Sequence, residues 1–387
     1  MRAKSAVPAS LRCLFVFGTR PEAIKLASVV AELRSRRRFR VQVCLTDQHA
    51  ELLEQVLRVF RIRPDYRLNV MKPGQSLFDV TTRTIGRLEP VLRNARPDIV
   101  LVQGDTTSAF AGALAAFYRR IAVAHVEAGL RTYDLSAPFP EELNRRLITP
   151  IARFNFAPTG DARKHLLRER VAPGSVFVTG NTVIDALQRI ARLPEPAALR
   201  RRVPDIGPFI LVTMHRRESF GKPIAGVFAA LRRISELAPR FRIIYPVHPN
   251  PNVAEPARRL LSNCRGIHLL PSLDYVAFVH LLKRCRLVLS DSGGIQEEAP
   301  ALHKPVLVLR DKTERPEAIR AGTARLVGTD PRRITDETLK LLNSPRAYRS
   351  MTRARNPFGD GKAATRIADI LEHEHGFRTR PAREFAD

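Results

Sequence analysis

The stretch Leu14-Phe15-Val16-Phe17-Gly18-Thr19-Arg20-Pro21-Glu22-Ala23-Ile24-Lys25 decides the fold. Four successive apolar residues read as a buried strand, and after Gly18 the chain turns into a helix with Pro21 at its start, where a missing N–H costs nothing. Near the other end Leu287-Val288-Leu289-Ser290-Asp291-Ser292-Gly293-Gly294-Ile295-Gln296-Glu297-Glu298 makes the same passage from strand to helix. Each turn is expected to offer free backbone N–H groups at a helix N-terminus, where the dipole favours negative charge. Two such turns point to one phosphorylated ligand gripped from two sides.

Working outward, short apolar runs alternate with longer amphipathic ones. The runs predict strands over 14–17, 41–45, 99–102, 122–126, 154–157 and 176–178, and a second series over 210–212, 243–247, 267–270, 287–289 and 306–309. Helical periodicity fills the gaps, as at 22–34, 77–93, 108–119, 182–192, 274–283 and 361–370. Such alternation means parallel sheets covered on both faces, here α/β with two doubly wound, Rossmann-like domains. The join falls between Gly180 and Pro208, where prolines cluster, so residues 1–10 are expected to be a loose extension, 11–180 the first domain and 181–361 the second. Ligands of open parallel sheets bind beyond the carboxyl ends of the strands, which places the expected site in the cleft between two facing sheets.

At 387 residues and 44% apolar content the chain can bury two cores, and disorder as its main state is excluded. The formal charge of +27 invites a nucleic-acid reading, but 55 of the 65 basic residues are Arg scattered over helix surfaces, Trp is absent and aromatics are only 6%. Stacking residues between the cations are thus scarce, and no nucleic-acid partner is expected. Cys13, Cys44, Cys264 and Cys285 lack metal-ligand spacing and read as free thiols of a reducing compartment. The early apolar run is too short for a signal-peptide core, and none is long enough to span a bilayer, so the expected setting is cytoplasmic with no membrane partner.

No strand-helix junction carries the G-x-G-x-x-G dinucleotide fingerprint, so nicotinamide chemistry is not supported. The first turn supplies Arg20 and Lys25 instead. In the second, Ser292, Gly293 and Gly294 allow close backbone approach to a diphosphate, and Glu298 can accept hydrogen bonds from ribose hydroxyls. His215 and Arg216 follow one strand end and Arg315 lies near another, an arrangement suited to a pyrophosphate and not to a metal, for which no second ligand is spaced. Asp105, Glu127 and Glu141 follow strands or open a helix in the first half. Singly, Asp105 reads equally as a helix cap and Glu141 as a first-turn acid; together the three carboxylates suit acid/base chemistry on a nucleotide-linked substrate.

The segments GTRPEAIK (18–25), QGDTTS (103–108), HVEAGLRT (125–132), FPEELNR (139–145), MHRRESFG (214–221), YPVHPNP (245–251), SDSGGIQEEAP (290–300), TERPEAI (313–319), AGTARLVGTD (321–330) and NPFGDGKA (356–363) resemble, in order and over nearly the whole chain, those of the non-hydrolysing UDP-N-acetylglucosamine 2-epimerases. The resemblance implies a glycosyltransferase-B architecture, usually a homodimer, with a C-terminal helix (362–375) completing the first domain. It implies metal- and cofactor-free interconversion of UDP-N-acetylglucosamine and UDP-N-acetylmannosamine by elimination of UDP to 2-acetamidoglucal and re-addition, feeding cell-surface polysaccharide. By the matching positions, Arg20, His215, Ser292, Glu298 and Arg315 hold UDP while Lys25, Asp105, Glu127, Glu141 and Arg131 surround the sugar; Arg145, Arg216, Gly293 and Gly294 join the binding set.

Departures from the family pattern are few. Ser28 stands where proline is common, Met214 where a smaller residue is usual, and Glu51 where activated members carry a second glutamine together with a basic residue near Gly74. Gln48, His49, Glu142, Arg216 and His248 of the regulatory site remain. Weak or absent allosteric activation by UDP-N-acetylglucosamine is therefore expected. The competing expectations are a hydrolysing 2-epimerase or a UDP-sugar glycosyltransferase of the same fold.

Overall fold

The computed structural model describes residues 9–386, apart from 48, 49, 73 and 204–206. The chain forms two compact units, Met1–Ala186 with Phe358–Asp387, and Leu187–Pro357. The first division falls inside the helix Thr182–Ala191, later than position 180, and the return begins at Phe358, ahead of 362.

In the first unit β1 (Leu11–Phe17), β2 (Phe39–Leu45), β3 (Tyr66–Arg67), β4 (Ile99–Gln103), β5 (Ala122–Val126), β6 (Phe154–Ala157) and β7 (Val176–Val178) form a seven-stranded sheet in the order β3-β2-β1-β4-β5-β6-β7. All of its pairings are parallel. Leu14, Phe15, Val16 and Phe17 are each 0% exposed, because a strand with helices on both faces has no wet side. The returning helix Ala363–Glu374 packs on the helix Arg20–Ser35, where Arg36 reaches Asp369 at 2.7 Å and Glu372 at 2.9 Å.

The second unit carries β8 (Phe209–Thr213), β9 (Arg242–Pro246), β10 (Ile267–Leu270), β11 (Leu287–Ser290), β12 (Val306–Val308) and β13 (Ala324–Leu326) in a six-stranded parallel sheet ordered β10-β9-β8-β11-β12-β13. Edge strands β3 and β13 were not expected from the sequence, since two and three residues leave no periodicity to read. Strand order reverses between β1 and β4 in one sheet and between β8 and β11 in the other. Crevices open at such switch points, and the segments after these four strands, 18–25, 103–108, 214–221 and 290–300, are those singled out for chemistry.

Candidate active site

The turn after β1 closes on itself. The N–H groups of Gly18 and Thr19 donate to Glu22 Oε2 at 3.1 and 2.8 Å, and Thr106 Oγ1 donates to Oε1 at 2.7 Å. The expectation of free N–H groups here is corrected: the anion at this helix N-terminus is the chain's own carboxylate, 1% exposed. Burial pushes the Glu22 pKa up, and these hydrogen bonds oppose the push. What the turn delivers to the crevice is Lys25, one turn further along the helix.

Lys25 Nζ donates to both oxygens of Glu127, at 2.7 and 2.5 Å. Gln103 Nε2, at the end of β4, donates to Oε2, and Asn181 Nδ2 donates to Oε1 at 2.9 Å. Glu127 stands one residue past β5 with φ +65° and is 7% exposed. Such a backbone conformation in a non-glycine residue persists only where its surroundings over-determine it, and these four hydrogen bonds do so.

Asp105 sits in the neighbouring loop, paired with Arg145 Nη2 at 2.6 Å, while Asn144 Nδ2 donates to its backbone carbonyl at 2.9 Å. Gly104, at φ +67°, is held from both sides: its N–H donates to Val126 O at 3.0 Å, and its carbonyl lies 2.7 Å from His125 Nε2. A carbonyl only accepts, so Nε2 carries the proton. Burial brings the His125 pKa down to about 4. Burial raises the Asp105 pKa, Arg145 and Lys25 pull it back, and the charges of Glu127 and Glu141 add to the rise. Glu141 opens the helix Glu141–Ile148, half-buried and without a side-chain hydrogen bond among the described residues.

Three of the expected site residues are paired within the chain. Arg131, its side chain 0% exposed, donates to Glu169 at 2.8 and 2.7 Å, to Thr149 Oγ1 at 2.9 Å and to Leu130 O at 2.8 Å. Glu142 accepts from the N–H groups of Thr132 and Tyr133 at 3.0 and 3.1 Å and faces Arg145 at 3.4 Å. In the second unit Arg315 Nε is bound to Glu297. Arg20 is half-buried and makes no side-chain pairing among the described residues. Gln48 and His49 lie outside them.

In the second unit the organising group is Asp291, 0% exposed at the end of β11. It accepts from His215 N–H at 3.2 and 3.1 Å, from Arg216 N–H at 3.0 Å and from Ser219 Oγ at 3.0 Å. The His215 pKa is lowered, first by partial burial and then by Arg216 and His248, with Asp291 opposing. His248 is exposed, its ring 6.1 Å from that of His215. Arg216 reaches Glu314 at 2.9 Å and passes so close to Gly293 that a Cβ there would stand 3.4 Å from Nη2. Burial disfavours the Glu314 charge, yet the Arg310 hydrogen bonds and the nearby Arg216 bring its pKa down to about 2.

The helix Gly293–Ala301 begins here with Ser292 as N-cap and no acidic residue in its first turn. The first N–H groups of a helix have no intrahelical partner, and no acceptor faces those of Gly293 and Gly294 among the described residues. Glu298, one turn further, accepts from Tyr275 Oη at 2.6 Å. Unlike the first turn, this one has no carboxylate of its own helix folded back on its first N–H groups.

Residues 31–372 match the family model described as UDP-N-acetylglucosamine 2-epimerase. The chain belongs to that family. It is 51% identical to the UDP-N-acetylglucosamine 2-epimerase of Escherichia coli strain K12 over 371 residues, 94% of this chain and 99% of that protein. Among solved structures it is similar to the Neisseria meningitidis UDP-GlcNAc 2-epimerase bound to UDP-GlcNAc, with TM-score 0.85, 46% identity and coverage of 93% and 99% of the two chains. The Methanocaldococcus jannaschii enzyme in complex with UDP-GlcNAc and UDP is similar at TM-score 0.77 and 33% identity, over 94% of this chain and 100% of that one.

Sequence reasoning missed Asp291, Glu314, Gln103 and Asn181 in this family member. Asp291 was within reach of it, as an acid directly after a strand and before two glycines. Gln103 and Asn181 carry no charge and no spacing signal, and only the folded chain brings them to Glu127. Among the described residues no group of three or more His, Cys, Asp and Glu is placed to hold a metal ion, and no helix is long and apolar enough to cross a membrane.

Proposed function

We infer that this chain is an isomerase that epimerises UDP-N-acetylglucosamine at C2. The observation that carries the reading is its 51% identity, over nearly full length, to an enzyme of that name. The site chemistry agrees with it: clustered carboxylates with a lysine in one unit, an open helix N-terminus flanked by arginines in the other.

The C2 hydrogen has no adjacent carbonyl to acidify it, so direct deprotonation is too slow. The path these groups suit begins with cleavage of the C1–O bond. UDP leaves with the electron pair, C1 gains oxocarbenium character, and a carboxylate takes the C2 proton to give 2-acetamidoglucal. Protonation of C2 on the opposite face and return of UDP to C1 give UDP-N-acetylmannosamine, with no net consumption of water. Asp105, Glu127 and Glu141 form the proton-transfer set; the raised Asp105 pKa suits a group that both receives and returns a proton. Gly293 and Gly294 N–H groups with Arg216, His215 and Ser292 stabilise the departing diphosphate and retain it for the return, and Glu298 receives the ribose.

Incubation with UDP-N-acetylglucosamine in deuterium oxide, followed by proton NMR, tests this. Both UDP-sugars with deuterium at C2 and little free UDP are expected. Accumulating N-acetylmannosamine and UDP would assign a hydrolysing epimerase, and an unchanged substrate would return the glycosyltransferase reading.

The functional unit in this proposal is a homodimer. The helices Leu77–Ala95, Thr107–Tyr118 and Glu141–Ile148 pack side by side and expose Phe78 at 84%, Tyr118 at 66% and Phe117 at 52%, an apolar face suited to a second copy. Light scattering on the purified protein reads the mass directly. The setting is cytoplasmic, which fits four free cysteines. Allosteric activation by UDP-N-acetylglucosamine is weak or absent: Glu142, part of the expected regulatory set, already accepts from the backbone of Thr132 and Tyr133. Sigmoidal kinetics in the reverse direction, abolished by trace UDP-N-acetylglucosamine, would contradict this.

A further inference from the structure

Where the chain leaves the first unit and where it returns, two segments lie side by side. Asn181 N–H donates to Phe358 O at 2.7 Å, Gly180 at φ +83° stands against Gly359, and Asp185 accepts from the N–H groups of Ala363 and Ala364 at 3.2 and 2.9 Å. Asn181 is 2% exposed, and its side chain is oriented from both ends. Oδ1 accepts from Val183 N–H at 3.1 Å, which fixes the amide flip and aims Nδ2 at Glu127 Oε1, 2.9 Å away. The amide has no rotational freedom left.

We propose that Asn181 is a positioning residue for the epimerisation, which locks the Glu127 carboxylate against the paired crossover segments and so sets the direction in which Glu127 faces the sugar. The proposal rests on the reading of Glu127 as a proton-transfer residue. Lys25 grips both carboxylate oxygens, and Gln103 and Asn181 hold one each from either side, so the plane of the Glu127 carboxylate is set by the two amides together. Of these donors, Asn181 is the one anchored to the paired crossover segments. A misplacement on the order of 1 Å at a reacting group can cost about a hundredfold in rate.

The test uses the full-length enzyme and C2 deuterium exchange. Asn181→Asp keeps the Oδ1 that holds Val183 N–H and changes only the donor, so the fold has its cap in either variant state. The new carboxyl donates to Glu127 only while protonated, so kcat of Asn181→Asp is expected to fall as pH rises across a range where the parent enzyme is flat, by roughly tenfold or more, with KM within about twofold. Asn181→Ala is expected to lower kcat by a similar factor at every pH, and to cause no further loss in a Glu127→Gln background. A kcat–pH profile of Asn181→Asp parallel to that of the parent, or an additive loss in the double variant, overturns the proposal. Full activity of Glu127→Gln would instead strike the catalytic reading of Glu127, an outcome distinct from an inactive Glu127→Gln with an unmoved Asn181→Asp profile.

Discussion

Replacing Asp291 by Asn probes the loop that carries His215 and Arg216. The carboxylate is 0% exposed and accepts three backbone N–H contacts at 3.0–3.2 Å and one hydroxyl at 3.0 Å. Oδ2 is the oxygen shared by His215 N–H, Arg216 N–H and Ser219 Oγ, so the amide sets its oxygen there and turns its NH2 group to the Oδ1 side, where it faces His215 N–H. The three donors keep an acceptor, but a neutral one. Hydrogen bonds to a charged acceptor contribute about 1.5–3 kcal/mol each and those to a neutral one about 0.5–1.5, so the variant should lose roughly 3 kcal/mol. For a unit of this size that is a fall in Tm of roughly 6–12 °C by scanning calorimetry. Because the loop also presents the cations of the diphosphate site, UDP binding measured by titration calorimetry should weaken by about 10- to 100-fold, or roughly 1.4–2.8 kcal/mol. If Tm moves by less than about 2 °C and Kd by less than about twofold, surface-like behaviour would be indicated and Asp291 does not hold the loop.

Gly18→Ala places a Cβ 1.8 Å from Thr46 Oγ1 and 2.9 Å from Ser108 Oγ, so overpacking should cost about 1–3 kcal/mol in urea unfolding, largely restored by adding Thr46→Ala. A double variant no better than Gly18→Ala would contradict the steric account. His125 titrates near pH 4 in the fold against 6.5 for an ordinary imidazole. Its neutral form is the stable one, so its contribution is complete above pH 6.5 and is lost as pH falls through the window down to about 4, at about 1.4 kcal/mol per unit. His125→Gln should flatten that part of the stability–pH curve, and an unchanged slope would exclude His125 as its source. Cys44 and Cys285 are buried with thiols pushed up to about 12, and buried Cys13 is raised as well, whereas Cys264 is half-buried. A thiol reagent on the native protein should therefore label Cys264 alone without loss of activity; rapid labelling of a second cysteine would contradict the burial.

The α/β class was legible because strands buried on both faces, such as Leu14–Phe17, write themselves as unbroken apolar runs, whereas β3 and β13 are too short to leave a pattern. The segments carrying chemistry were legible because loops after parallel strands converge at switch points whatever the helices do. What sequence could not give was the use made of each charge. Arg131 and Arg315 sit in motifs like that of Arg20 and look the same in a string of letters, yet Glu169 and Glu297 pair with the first two. Those partners lie 38 and 18 residues away, and only the packing of the loops selects them. Asn181, 54 residues from Glu127, was invisible for the same reason.

The two strand-to-helix turns looked equivalent and are not, and one residue makes the difference. Glu22 occupies the third helical position after Thr19 and folds back onto the N–H groups of the turn, so it neutralises the dipole that would otherwise attract a ligand. The helix after Ser292 has Gly293, Gly294 and Ile295 in the corresponding places and no acid in its first turn to fold back on its N–H groups. In the proposed site a diphosphate binds at the helix N-terminus after Ser292, and the first turn places Lys25 beside Glu127. UDP without its sugar should then report on the second unit alone. Lys25→Met and Glu127→Gln should leave the Kd for UDP within about twofold of the parent value while abolishing C2 exchange, and Arg216→Met should weaken UDP by roughly tenfold, the usual scale for one charge-assisted contact. A large loss of UDP affinity in Lys25→Met would mean that the first turn binds phosphate after all, and that its self-closure by Glu22 is not what decides the division of labour.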